Sequence, residues 1–193
     1  MAYELNNGAY NFNNINFKPG NVVLDIGANV GMVSLLLAKK YPFLKIYAFE
    51  PVKDSYESFK ANIKLNNIAA SIINAYNMAV TKDGRDVCMS YDPCNSGHSN
   101  MFDFLSSSFF YYKITNVKSI TLDEIFKQNN INEVKLLKID CEGAEYEILY
   151  NTSLENLKKT KHMRGEFHES GTSFPPKKIR TCRIMMLNNY LTT

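Results

Sequence analysis

Apolar positions along the chain alternate between short runs that can be buried on both faces and longer stretches with a helical period. The run "NVVLDI" after Pro19-Gly20 predicts a first strand, "GANVG" a glycine-bearing turn, and "MVSLLLAKKY" a helix that Pro42 stops. "KIYAFE" predicts a second strand. The helical spacing of Tyr56, Phe59 and Ile63 predicts a helix over about 54–66 with Asp54 as its N-cap. "ASIINAY" predicts a third strand, and "MAVTKDGRDVCMSYD" a strand pair joined by a hairpin-type turn at Asp83-Gly84. Residues 93–113 carry turn residues, serines and "FLSSSFFYY" without a clean period, which predicts a surface loop able to cover a ligand. "TLDEIFKQN" predicts a helix capped by Thr121, "VKLLKID" a fourth buried strand, "GAEYEILYN" the helix behind it, and "KHMRGEFHE" a fifth strand. A last helix is predicted in "PPKKIRTCRIMMLNNY", with Pro175 or Pro176 in its first turn. Strands alternating with helices predict an α/β fold, a mostly parallel central sheet with helices on both faces.

Composition sharpens this picture in three ways. At 193 residues, 45% hydrophobic and 21% charged, the chain reads as a single soluble domain over 1–193, with 1–20 as an N-terminal arm and 93–113 as a lid loop. No run approaches the ~18 apolar residues of a membrane span, and "MAYELNNGAYNF" lacks the basic then apolar order of a secretory signal. Cys88, Cys94, Cys141 and Cys182 form no Cys-x-x-Cys pair, which argues against a zinc site or thioredoxin-like chemistry. They read as reduced core thiols, and hence as a cytoplasmic home.

The net charge of +3 is too small to imply a nucleic-acid partner, but it is unevenly spread. Residues 158–183 hold eight Lys or Arg against Glu166 and Glu169, and the rest of the chain is net acidic. The plain reading of that segment is a solvated helix face.

The sharpest chemistry is a strand, the turn "DIGANVG", a helix, and then Glu50 ending the next strand 19 positions after Gly31. Gly27 lets the chain turn sharply off the strand, and Gly31 lets the helix start close against the sheet. The helix start offers unpaired N–H groups to an anionic group, while Glu50 can accept hydrogen bonds from the two hydroxyls of a ribose. Together they predict a nucleoside crevice. Its glycines stand four apart, not in G-x-G-x-x-G, and no G-K-[ST] follows, so S-adenosylmethionine is favoured over NAD or ATP.

"VVLDIGANVGMVSLLLAKKYP", "IYAFEP", "SITLDEI" and "LLKIDCEGAEYEIL", in that order over about residues 20–170, resemble the FkbM family of S-adenosylmethionine-dependent methyltransferases. "KIDCEGAE" after "TLDEI" narrows the likeness from the broad Rossmann-like methyltransferase class to this family. The resemblance implies methyl transfer to a hydroxyl oxygen on a sugar, glycan or other small molecule. It implies that Asp25, Gly27, Asn29 and Gly31 line the methionine end of the cofactor, that Glu50 holds the ribose and that Pro51 sets the turn beneath the adenosine. Asn77 is the side chain nearest to an adenine role, and equally a turn residue. Asp140, also beside the cofactor, is the first choice to take the acceptor's proton or orient it, followed by Glu142 and His168.

Plainer roles stand beside these. Glu142 could serve only the helix N-terminus that follows, Glu145 and Glu147 read as solvent-facing, His98 as an exposed loop residue and His162 as structural. Asp140-x-Glu142 lacks a third ligand, so no metal is expected. The resemblance further implies a seven-stranded sheet whose last two strands form a hairpin. The chain stops after "MLNNYLTT", so that hairpin is expected to be missing or truncated: either this is a fragment, or the open sheet edge is covered in another way, such as by a second copy in a homo-oligomer. Two rival readings follow. One is a binding module that does not turn over. The other is a nucleic-acid methyltransferase tracking phosphates along 158–183, which lacks the Asn/Asp-Pro-Pro-aromatic signature of base amino-methylation.

Overall fold

A computed structural model of the protein describes residue 10 and residues 12–92, 95–100 and 113–167. Strand and helix alternate through β1 (Val22–Ile26), α1 (Met32–Lys40), β2 (Lys45–Phe49), α2 (Lys53–Leu65) and β3 (Ile73–Tyr76). Five strands follow, β4 (Ala79–Val80), β5 (Val87–Asp92), β6 (Asn95–Asn100), β7 (Lys113–Val117) and β8 (Ser119–Ile120). The pattern then resumes with α3 (Leu122–Gln128), β9 (Leu136–Ile139), α4 (Glu145–Asn151), α5 (Leu154–Lys158) and β10 (Met163–Gly165).

The central sheet has five parallel strands in the order β10-β9-β1-β2-β3. The chain winds outward from β1 to β3 and then returns to the other side of β1, so the order reverses between β1 and β9. In open α/β sheets such a reversal opens a crevice at the carboxyl ends of the two strands.

Period-two alternation sends neighbouring residues to opposite faces. Leu24, Ile26, Tyr47, Phe49, Leu137 and Ile139 form one buried cluster with Ile125 and Phe126 of α3 and Ile148 of α4. Val23, Ile46, Ala48 and Leu136 form the other, with Leu35 and Leu37 of α1 and Phe59 of α2. The sheet is therefore covered on both sides, as the continuous apolar runs predict. Phe12, Ile15 and Phe17 join the second cluster, so the part of the arm from residue 12 is core and not appendage.

Several local expectations are corrected. Val52, not Asp54, is the N-cap of α2 and makes no side-chain cap hydrogen bond, and Asp54 lies in the first turn, where it favours the helix dipole. No hairpin forms at Asp83-Gly84. β4 instead pairs in parallel with β8, and β5 lies antiparallel between β6 and β7. Long-range partners decided these pairings, which the local turn could not reveal. Within the expected 93–113 loop, Asn95–Asn100 is a strand paired with β5 and Lys113 opens β7, while 93–94 and 101–112 lie outside the described residues. Cys88 is exposed and not a core thiol, and Cys141 is half-buried; both are free. Cys94, Cys182, the helix predicted from Pro175 and the expected C-terminal hairpin also lie outside the described residues. Among the described residues no helix is long and apolar enough to cross a membrane.

Candidate functional site

The turn after β1 is built by its backbone. Gly27 and Ala28 both donate N–H to the Phe49 carbonyl at 3.0 Å, which draws the turn across the end of β2. Gly27 has φ +75°, and a Cβ there would overlap the Asp140 backbone carbonyl. Glycine is thus demanded by a close approach between the ends of β1 and β9. Gly31, at φ +85°, is the N-cap of α1, and a Cβ would run into the Phe59 ring. Asn29 also takes a left-handed conformation, with φ +50°.

Glu50 sits where this turn meets the end of β2. Its Oε2 accepts the Asn29 N–H at 2.7 Å and its Oε1 accepts the Val52 N–H at 2.8 Å. Burial pushes this carboxyl up to about 7, against the lowering effect of those two N–H donors and of Lys138. One donor on each oxygen leaves further lone pairs for two hydroxyls, so the donor set fits a ribose diol. Asn77 spends its amide on the Glu50 and Pro51 carbonyls, both at 2.9 Å, and so ties the loop after β2 to the end of β3.

Beside the turn lies a charged group in the second face of the sheet. Asp25 on β1 pairs in register with Lys138 on β9. Asp25 is wholly buried, accepting the Ser34 hydroxyl at 2.6 Å through Oδ2 and facing Lys138 Nζ at 3.3 Å through Oδ1. Lys138 donates to the Gly27 carbonyl at 2.6 Å and reaches the Ile26 carbonyl at 3.3 Å and Asp140 Oδ2 at 3.9 Å. Burial works against its charge, but Asp25 and Asp140 outweigh it and hold the ammonium above its ordinary range. Asp25 therefore supports the turn from beneath.

Asp140 Oδ2 also accepts the Tyr10 hydroxyl at 2.8 Å. Burial and the Asp140 carboxylate drive that phenol far above its ordinary value, which keeps it a donor. Arg164 Nε holds the Tyr10 carbonyl at 3.0 Å, and the ring stacks on Phe12.

The loop from β9 to α4 is shaped by Glu145. Its carboxylate accepts N–H from Cys141 at 2.7 Å and from Gly143 at 3.1 Å, and the residue is fully buried. The solvent-facing expectation is overturned for Glu145, because the backbone N–H groups of the loop turn it inward. Glu147 is likewise partly covered and pairs with Lys82 at 3.5 Å. Glu142 is carried at the tip with φ +54°, a conformation that costs a non-glycine residue about 1 kcal/mol. Burial, then Glu145, pushes the Cys141 thiol well up, which favours its neutral form.

The structure thus brings Asp25, Gly27, Asn29, Gly31, Glu50, Asp140 and Glu142 to one carboxyl edge, while His168 lies outside the described residues. Pro51 is half-buried beside Asn77. Sequence reasoning missed three residues. A lysine inside the apolar run "LLKI" was a readable sign for Lys138, and the E of "CEGAE" for Glu145. Nothing local marked Tyr10. Among the described residues no three His, Cys, Asp or Glu side chains converge to hold a metal. In the described part of the basic segment Lys159 pairs with Glu155 at 2.7 Å and Lys161 with Glu133 at 3.3 Å.

Residues 25–187 match the methyltransferase FkbM domain. Methyltransferase 1 of Beauveria bassiana is 26% identical over 69% of this chain and 59% of its own length. Methyltransferase sdnD of Sordaria araneosa is 26% identical over 69% of this chain and 61% of its own. The 31-O-demethyl-FK506 methyltransferase FkbM of Streptomyces tacrolimicus is 33% identical over 30% of this chain and 22% of its own. The chain thus spans about three fifths of the first two relatives. With the family model covering most of its length and the glycine turn and β9 edge built as described, the chain belongs to the FkbM methyltransferase family.

Proposed function

We propose that this domain binds S-adenosylmethionine at the carboxyl edge of β1, β2 and β9 and methylates a hydroxyl oxygen of a sugar, glycan or other small molecule. When bound, the cofactor supplies an electrophilic methyl group on a sulfonium sulfur. Glu50 would accept the ribose hydroxyls, and Asp25 with the turn from Gly27 to Gly31 would line the methionine end. Asp140 would take the proton that the acceptor hydroxyl gives up on methylation. Glu142 helps to orient the acceptor, and His168 is a further candidate for that role. Much of the rate comes from holding oxygen and methyl in line. Reading the domain as cytoplasmic rests on the free thiols of Cys88 and Cys141.

The observation that carries this reading is that the Gly27 turn approaches the backbone of Asp140 while its Asn29 N–H is bound by Glu50, so the residues proposed here for the nucleoside and the acceptor share one edge. The name of the Streptomyces tacrolimicus relative, with its O-demethyl substrate, supports an oxygen acceptor. The test is transfer of labelled methyl from S-adenosylmethionine to a panel of sugar and polyketide alcohols. Labelled product that Asp140→Ala reduces more than it reduces cofactor affinity is expected; equal loss of both contradicts the role of Asp140.

A further inference from the structure

Lys138 has no role in the reading above, yet it is the one charged side chain of β9, flanked by Leu136, Leu137 and Ile139, all fully buried. A buried ion pair seldom adds net stability over a well-packed apolar pair, so stability alone is a weak reason to keep it. Its partners are more informative. The ammonium meets Asp25 at 3.3 Å, the carbonyls of Ile26 and Gly27 at 3.3 and 2.6 Å, and Asp140 at 3.9 Å. Two of these groups belong to the end of β1, one begins the nucleoside turn, and one is the acceptor carboxylate.

We propose that Lys138 is a positioning residue that ties the cofactor turn to the acceptor carboxylate by holding the Gly27 carbonyl and Asp140 with one ammonium. This rests on the nucleoside reading of the site. A charged donor on the Gly27 carbonyl fixes the peptide plane that leads into the turn, and the same charge steadies Asp140 across the crevice. No step of the reaction passes through Lys138.

Removing Lys138 alone strands the buried Asp25 carboxylate, so paired variants are compared with Asp25→Asn, which neutralises that carboxylate and keeps an acceptor for Ser34. Binding of S-adenosylhomocysteine is followed by calorimetry and folding by thermal melting. Asp25→Asn/Lys138→Met is expected to bind about tenfold or more weakly than Asp25→Asn, the loss of one charged hydrogen bond. Asp25→Asn/Lys138→Gln, which keeps an uncharged donor one bond shorter, is expected to recover part of that affinity. Equal affinity in Asp25→Asn and both paired variants, or a Gln variant that folds but binds no better than the Met variant, overturns the inference and leaves the nucleoside site standing. Failure of the unaltered protein to bind S-adenosylhomocysteine overturns both.

Discussion

The Tyr10 hydroxyl donates to Asp140 Oδ2 at 2.8 Å across 130 positions of sequence. Tyr10 is thereby fastened to the carboxyl edge that carries Asp140. Tyr10→Phe keeps the ring stack on Phe12 and deletes one hydrogen bond to a charged acceptor, and should cost about 1–3 kcal/mol in urea unfolding. An unchanged midpoint would mean that the hydroxyl is equally well satisfied by water.

On the proposed reading, Glu50 should make nucleoside binding and stability respond to pH in opposite senses. Its carboxyl rises from 4.5 to about 7 on folding, so between those values the native state holds more protons than the unfolded one. The stability of the unliganded protein should therefore fall as pH rises through this window. A ribose diol needs the ionised carboxylate, so affinity for S-adenosylhomocysteine should climb by up to about tenfold per pH unit over the same range. Glu50→Gln should flatten both curves, and a wild-type affinity that declines with pH would contradict the assignment.

Two glycines with similar backbones should respond very differently to alanine. Gly20 has φ +81° and open space around it, so Gly20→Ala should cost only the left-handed strain of about 1–2 kcal/mol. Gly27→Ala adds overlap with the Asp140 carbonyl and should cost about 3–5 kcal/mol. Equal costs in chemical denaturation would show that the ends of β1 and β9 part easily.

Glu145→Ala should leave the Cys141 and Gly143 N–H groups without their carboxylate and cost about 2–4 kcal/mol, while Glu145→Gln, which retains one acceptor, should cost less. Hydrogen exchange at Gly143 should accelerate in the alanine variant. Unaltered exchange there would dissociate Glu145 from the loop.

The sheet and its covering helices were legible because both-face burial and helical periodicity are local properties, as in "VVLDI" and "SYESFKANI". Thr121 was legible for the same reason, since its capping box with Glu124 spans three residues. What escaped depended on distant partners. Asp83-Gly84 looks like a hairpin until β8 claims β4, and Glu145 looks exposed until the loop N–H groups turn it inward. Gly27 was singled out for turning off the strand, but its closest constraint is the carbonyl of Asp140, a contact that exists only once β9 lies beside β1. Tyr10 was invisible because a phenol in an irregular arm carries no period.

The most direct test is a calorimetric titration of S-adenosylhomocysteine into the protein and into Glu50→Ala. One equivalent bound by the former, and no detectable heat with a variant that melts as a folded protein, is the predicted pair of results. Identical isotherms for the two proteins would contradict the account at its root.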